Sequence, residues 1–415
     1  MLGMEHLDIT EIQGADSLYE ADGIITQSEA NASMLFGCRT YYSTEGSSQC
    51  IRAMLYLTLL YAKQQKRKPL IAAVRNAHKT FLTVVALLDI KVHWLYSKNN
   101  PGYLSCDLTP SEADNYLRNT TDKPVAMYVT SPDYLGKIAD IRGLAEVCHR
   151  HNVLLIVDNA HGAYLKFLPN SIHPIDLGAD LCCDSAHKTL PVLTGGAYLH
   201  ISKMMDAAVG AQARNSLMLF GSTSPSYLIL QSLDVANRYL EDYPAKLDDR
   251  LPQIDAFKES LRQHGYTLYG NEPLKLTIDA KPFGYSGIQL ADILRRQTIE
   301  PEYADPDFVV LMISAEMTVD ELNRLRQALC DICPKTPIEE KPPRFMPCPK
   351  TLEIREAMLS DSETIPIEQC IGRILAVPTV GCPPAVPILV CGERIDEHAI
   401  KCFAYYGINY CCVVK

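Results

Sequence analysis

Ser185-Ala186-His187-Lys188 follows the short apolar segment Leu181-Cys182-Cys183 and lies 30 residues (188 − 158) beyond Asp158-Asn159-Ala160-His161, which closes the apolar run Leu154-Leu155-Ile156-Val157. Two short apolar runs that each end in a reactive side chain suit an open α/β sheet, where ligands bind beyond the carboxyl ends of the strands. A lysine and an aspartate so placed are the two groups that a pyridoxal phosphate site requires. The lysine amine forms a Schiff base with the cofactor aldehyde, and the carboxylate keeps the pyridine nitrogen protonated so that the ring accepts electrons. Alone, Asp158 reads first as a helix-capping residue, and Lys188 as a solvated surface amine. Their joint placement is what turns the reading toward chemistry.

Working outward, residues 70–74, 92–95, 125–129 and 153–157 read as strands alternating with amphipathic segments, the pattern of βαβ units and a mainly parallel sheet. Thr109-Pro110-Ser111-Glu112 starts a helix: a capping residue, a proline at the first helical position and a glutamate three residues on. Residues 138–151 fill the crossover before the Asp158 strand. After about residue 230 the character changes. Segments 251–264 and 318–332 read as helices flanking the strands 274–278 and 308–313, the make-up of a small α+β domain. Six prolines between 334 and 350 mark a linker or extended strap, and 351–415 opens on a helical pattern at 354–359 and ends in strand-like pieces. The expected organisation is an N-terminal arm (1–24), a cofactor-binding large domain (25–245), a small α+β domain (246–335) and a C-terminal subdomain (336–415). The fold class is α/β.

A chain of 415 residues with 47% hydrophobic content can bury a sizeable core. Its net charge of −10 argues against nucleic acid or an anionic bilayer as partner and suits a small cationic substrate. The opening Met1-Leu2-Gly3-Met4-Glu5-His6 is not a signal-peptide pattern, and the longest apolar stretch, 54–62, is far short of the ~20 residues of a membrane span. Fifteen cysteines without a framework spacing point to reduced thiols, hence to the cytoplasm. Cys330-Asp331-Ile332-Cys333 has no second pair or nearby histidines, so no metal is expected.

Three further groups are candidates. Gly46-Ser47-Ser48 immediately precedes the helical run 49–62, placing hydroxyls and free N–H groups at a positive helix terminus suited to a phosphate, although glycine and serines also make an ordinary helix start. His78, in Arg75-Asn76-Ala77-His78-Lys79-Thr80 beyond the strand at 70–74, can stack on the pyridine ring, while the small Ala160 lets the other face pack closely. Ser185 can bind the phosphate, and His187 can sit between phosphate and substrate carboxylate. Lys79 is the rival Schiff-base lysine but lacks the carboxylate-bearing strand 30 residues upstream.

The ordered set Asp8-Ile9-Thr10-Glu11-Ile12, Arg75-Asn76-Ala77-His78-Lys79, Ser131-Pro132-Asp133-Tyr134-Leu135-Gly136, Asp158-Asn159-Ala160-His161-Gly162 and Ser185-Ala186-His187-Lys188 resembles the ornithine/lysine/arginine decarboxylases of pyridoxal fold type I, in their short bacterial form. Gly372-Arg373-Ile374, Pro383-Pro384-Ala385-Val386-Pro387 and Gly392-Glu393 are similar to that family's C-terminal signature. The resemblance implies that Lys188 carries the Schiff base, Asp158 pairs with the pyridine nitrogen, His78 stacks on the ring, and Ser47, Ser48 and Ser185 hold the phosphate. Gly46, Ala160, His161 and His187 would complete the cofactor site. Gly221-Ser222-Thr223-Ser224-Pro225-Ser226-Tyr227 looks like the segment that reaches the cofactor phosphate of a partner subunit, so Ser222 and Thr223 join the set and a homodimer is implied. Two departures stand out. The family's Pro-Gly-His-Lys segment, usually upstream of the Asp8 motif, is not in this sequence, and Cys382-Pro383-Pro384-Ala385 stands where Tyr-Pro-Pro-Gly is usual.

The expected activity is decarboxylation of arginine, lysine or ornithine to a polyamine or its precursor. An aminotransferase is the close alternative and would need an arginine clamp, such as Arg355 or Arg373, on an in-plane substrate carboxylate. A non-catalytic homologue is the alternative from another class.

Overall fold

The computed structural model describes residues 3–97, 102–378 and 383–415, and the chain divides into two units. Cys382, where the C-terminal motif departs from the family pattern, lies outside the described residues, as do Met1 and Leu2.

The first unit comprises 1–97, 108–131 and 139–244. Its elements begin α1 (Ile24–Phe36), β1 (Arg39–Ser43), α2 (Gly46–Gln64), β2 (Leu70–Val74), α3 (Lys79–Leu88) and β3 (Lys91–Leu95). Then come α4 (Pro110–Asn119), β4 (Ala126–Thr130), α5 (Ile141–Arg150), β5 (Leu154–Asp158), β6 (Leu181–Asp184), α6 (Ala186–Thr189) and β7 (Ala197–Ile201). Short helices α7 (Ala207–Gly210) and α8 (Ala213–Met218) lead into α9 (Tyr227–His264), whose second part belongs to the other unit. The seven strands form one sheet in the order β1-β7-β6-β5-β4-β2-β3. The neighbours from β6 through β3 pair in parallel, and β7 runs antiparallel to both β6 and β1. β2 and β5 are buried at every position, which is why they read as unbroken apolar runs without alternation.

Helix α4 starts as its sequence dictates. The Thr109 hydroxyl accepts from the Glu112 N–H at 3.2 Å, and the Glu112 carboxylate accepts from the Thr109 N–H at 2.9 Å, behind Pro110. Helices α2 and α9 differ from expectation. Helix α2 begins at Gly46, so the glycine and serines form its first turn instead of preceding it. Helix α9 is continuous for 38 residues through Pro244 and Pro252, where the sequence suggested a helix only over 251–264. Each proline removes one backbone hydrogen bond, but a stripe of buried residues (Leu230, Leu233, Leu240, Leu247, Ile254 and Leu261) keeps helical spacing across both and offsets that loss.

The second unit comprises 98–107, 132–138 and 245–415. Strands β8 (Thr267–Tyr269) and β9 (Lys275–Asp279) precede α10 (Gly287–Arg296), and β10 (Tyr303–Ala304) and β11 (Phe308–Met312) follow it. They form an antiparallel sheet in the order β10-β11-β9-β8, and α11 (Val319–Cys330) comes next. Residues 331–353 contain neither helix nor strand, as the prolines require. The chain closes with α12 (Ile354–Leu359), β12 (Ser362–Pro366), α13 (Glu397–Tyr405) and β13 (Tyr410–Val414), with β12 and β13 paired antiparallel. Helix α13 falls where strand-like pieces were expected.

Candidate active site

Asp158 is the last residue of β5, Lys188 sits in the single turn α6 after β6, and His78 caps α3 after β2. Parallel strands thus deliver three of the candidate groups at the same edge of one sheet, where adjacent carboxyl ends open a crevice. Asp158 is 3% exposed. Its carboxylate accepts from the Tyr128 hydroxyl at 3.0 Å and the Ala160 N–H at 3.2 Å, with the Cys183 thiol at 3.7 Å. Every one of these partners is neutral, and among the described residues no cation forms an ion pair with Asp158. A buried carboxylate without a counter-cation is costly. A pyridinium N–H supplies the missing charge, so the residues present fit pyridoxal phosphate.

Lys188 Nζ lies 3.0 Å from His161 Nε2. His78 Nδ1 accepts from the Thr80 N–H at 3.1 Å, which places the ring proton on Nε2. Burial holds His78 down at about 4, with Lys188 and Lys79 pushing the same way against Asp158. The ring is therefore neutral and can lie against a cationic heterocycle without repulsion. We expect a 15N-histidine NMR titration, assigned through His78→Phe, to keep this ring in its neutral Nε2–H form at pH 6. An imidazolium there would contradict the assignment. Because the folded value lies below the ordinary one, the stability that a neutral His78 contributes is present above about pH 6.5 and is lost as pH falls toward 4.

The candidate serines lie close together. Ser185 donates to the Ser47 hydroxyl at 2.8 Å, and Ser48 lies 3.2 Å from the Thr80 hydroxyl, which itself sits 3.0 Å from His78 Nδ1. Glu45, the N-cap of α2, makes no side-chain cap to the N–H groups of Ser47 and Ser48, which face the positive end of the helix where an anion binds. Gly46 takes the left-handed conformation (φ 71°) and its N–H donates to the Gly195 carbonyl at 2.7 Å. A side chain at Gly195 would meet the Thr44 carbonyl at 2.7 Å. This close approach ties the α2 terminus to the segment after Lys188.

His187 is anchored through Nδ1, 3.0 Å from the Gly196 carbonyl on the backbone leading into β7. Burial pushes its pKa down, with the Gly196 carbonyl opposing and Lys188 adding to it. Ser222 and Thr223 are exposed, and the Ser222 N–H donates to Glu45 at 2.5 Å, beside the α2 terminus of the same chain.

Several contributing residues carry no motif. Tyr128 reaches Asp158 from the neighbouring strand β4. Asn159 donates to Asp184 at 2.7 Å, and Asp184 is flanked by His173 at 3.1 Å and His200 at 3.0 Å, all fully buried. Burial would raise Asp184, but the two histidines hold it well below the usual carboxylate range. Burial would lower His200, yet Asp184 lifts it to about 9, so the pair is ionised. Asp184 thereby fixes the backbone on both sides of the site, through Asn159 after Asp158 and directly before Ser185.

Residues 4–268 match the model of the Orn/Lys/Arg decarboxylase major domain, and residues 346–409 match that of the Orn/Lys/Arg decarboxylase C-terminal domain. An arginine decarboxylase of Halalkalibacterium halodurans is 28% identical over 422 residues, covering 94% of this chain and 82% of the relative. One of Bacillus subtilis is 28% identical over 422 residues, covering 95% and 84%. Among solved structures, a Francisella novicida lysine decarboxylase shares the fold with a TM-score of 0.78 at 17% identity, over 97% of this chain and 73% of that one. A NifS-like protein shares it with a TM-score of 0.58 at 14% identity, over 74% and 86%. The fold is that of the fold-type-I pyridoxal enzymes.

Proposed function

The chain belongs to the Orn/Lys/Arg decarboxylase family, and on that premise we propose that it removes the α-carboxylate of a basic amino acid, using pyridoxal phosphate held at Lys188, to give a polyamine or its precursor. The observation that carries this reading is Asp158, a buried carboxylate with only neutral partners, on the same sheet edge as Lys188. When bound, the cofactor supplies an electron sink for whichever substrate bond stands perpendicular to its ring.

The side chains divide the rest of the work. Lys188 binds the cofactor aldehyde, and His161 Nε2, 3.0 Å away, can take the proton that the amine must lose to act as nucleophile. Asp158 would accept a hydrogen bond from a protonated pyridine nitrogen, Tyr128 orients that carboxylate, and neutral His78 would lie beside the ring. Ser47, Ser48, Ser185 and the α2 terminus hold the phosphate. Of the two arginines named for an aminotransferase clamp, Arg373 is engaged by Glu363 at 2.7 Å and by the Val414 carbonyl at 2.8 Å, and Arg355 lies in the first turn of α12.

Arginine is the first substrate to test, since the sequence relatives are named for it. Incubation of the purified protein and cofactor with arginine, lysine and ornithine, reading amine by chromatography, should give amine from at least one. Amine from none of the three would remove the basic-amino-acid assignment.

The protein is proposed to be cytoplasmic. Among the described residues no helix is long and apolar enough to cross a membrane, and cysteines such as Cys50, Cys148, Cys182 and Cys183 are buried free thiols, which suits a reducing compartment. It is further proposed to be a homodimer in which Ser222 and Thr223 complete a partner's phosphate site. A two-fold pair buries the same patch twice, so mixing an inactive Lys188→Ala chain with an inactive Ser222→Ala/Thr223→Ala chain should restore activity in hybrids, where one of two sites keeps all its parts. Hybrid dimers without activity would assign the two residues to their own chain's site instead.

A further inference from the structure

The second unit contains a cavity of about 350 Å³ walled by Tyr103, Tyr303, Tyr405 and Tyr406, with the Asp305 carboxylate in its lining and, among the described residues, no lysine, arginine or histidine there. Asp305 is 5% exposed. One of its oxygens accepts from the N–H groups of Asp307 at 2.8 Å and Phe308 at 2.7 Å, and the other from the Tyr303 hydroxyl at 3.1 Å. A carboxylate offers about four lone-pair sites; three are used and one is open.

Charge is unbalanced here. Asp307 is paired with Lys281 at 2.9 Å, and Lys281 also donates to the Glu340 carbonyl at 2.6 Å and to the Tyr405 hydroxyl. Tyr405 in turn donates to Asp307 at 2.6 Å. Among the described residues one cation thus serves two buried carboxylates, and a second oxygen of Asp307 has no hydrogen-bond partner there. Burial pushes the Asp305 carboxyl up to about 6, and the neighbouring Asp307 adds to that rise.

The walls supply a second attraction. Tyr103 and Tyr406 meet edge to face with centroids 4.7 Å apart, and Tyr405 and Tyr406 do so at 5.0 Å. Rings set at such angles present π faces in different directions around the space, and π faces attract cations. A tyrosine–aspartate network serving packing alone would fill its volume, whereas this one borders open space with an unpaired negative charge on its wall.

We propose that this cavity binds a small organic ammonium ion, its charged head on Asp305 and its alkyl body among the four tyrosines. The binding is non-covalent and does not rest on the decarboxylase reading. The test is calorimetric titration of the cofactor-loaded protein with 1,5-diaminopentane, with cofactor absorbance recorded in parallel to report the Lys188 site separately. A saturable heat unmatched by absorbance is expected in the wild type. Asp305→Asn and Tyr406→Leu should each weaken it at least about tenfold while leaving the absorbance response unchanged, and 1,5-pentanediol, the uncharged analogue, should give none. Tyr406 is half-buried at the cavity edge, so its variant remains informative if Asp305→Asn folds poorly. Heat that follows the absorbance and survives in Tyr406→Leu, or equal binding of the diol, would overturn the proposal. A protein that releases no CO2 from any amino acid would leave it standing.

Discussion

Lys188→Ala is expected to lower turnover on the order of 10⁴-fold or more, the scale of deleting a covalent catalyst. The protein should remain folded, because Lys188 is half-buried and lies in a four-residue turn carrying no strand pairing. Borohydride reduction of the wild-type protein with its cofactor, followed by peptide mapping, should place the pyridoxyl label on Lys188, and the variant should carry none. A label found on Lys79, the other lysine near the site, would move the assignment to α3 and break the pairing with Asp158 from which the account starts.

Asp158→Asn carries the second largest effect. A pyridinium and a carboxylate in contact interact by about 4 kcal/mol at the effective dielectric of partly buried pairs, and losing that stabilisation slows the reaction about a thousandfold. The amide keeps the volume of the carboxylate and can still accept from Tyr128, so the fold should survive, with a thermal midpoint within a few degrees of wild type. Cofactor still binds through Lys188 and the serines, which separates this variant from Lys188→Ala. Turnover within a factor of two of wild type would mean that Asp158 is a structural residue and that the ring nitrogen is paired elsewhere.

Sequence and structure agree most closely where local chemistry decides. The capping box at Thr109 and Glu112 is self-contained within four residues, and β2 and β5 announce themselves because strands buried on both faces must be apolar throughout. Lys188, Asp158, His78 and Ser185 were legible because each follows such a strand, and strand ends converge in a parallel sheet whatever the order of the strands. Tyr128 was not legible. Its contact with Asp158 exists only because β4 is the neighbour of β5, a fact of sheet order that no local pattern states. Nor was the Asp184 network, whose members at 159, 173, 184 and 200 come from two strands and two loops and look in sequence like ordinary polar residues. The Nδ1 contact of His187 with the Gly196 carbonyl was not legible either, since Gly196 comes beside it only through the turn between α6 and β7. Helix α9 was read only over 251–264, whereas buried residues on both sides of Pro244 and Pro252 hold one helix together.

The central claim is that the bond broken is the one to the α-carboxylate, and carboxyl-labelled arginine, or whichever basic amino acid proves active, tests it most directly. With cofactor-loaded protein, label should leave as CO2 in one-to-one proportion with the amine formed, and no oxo acid should accumulate. Label retained in an oxo acid would instead make the protein an aminotransferase, and label retained entirely in unreacted amino acid across arginine, lysine and ornithine would contradict catalysis of this reaction at the Lys188 site.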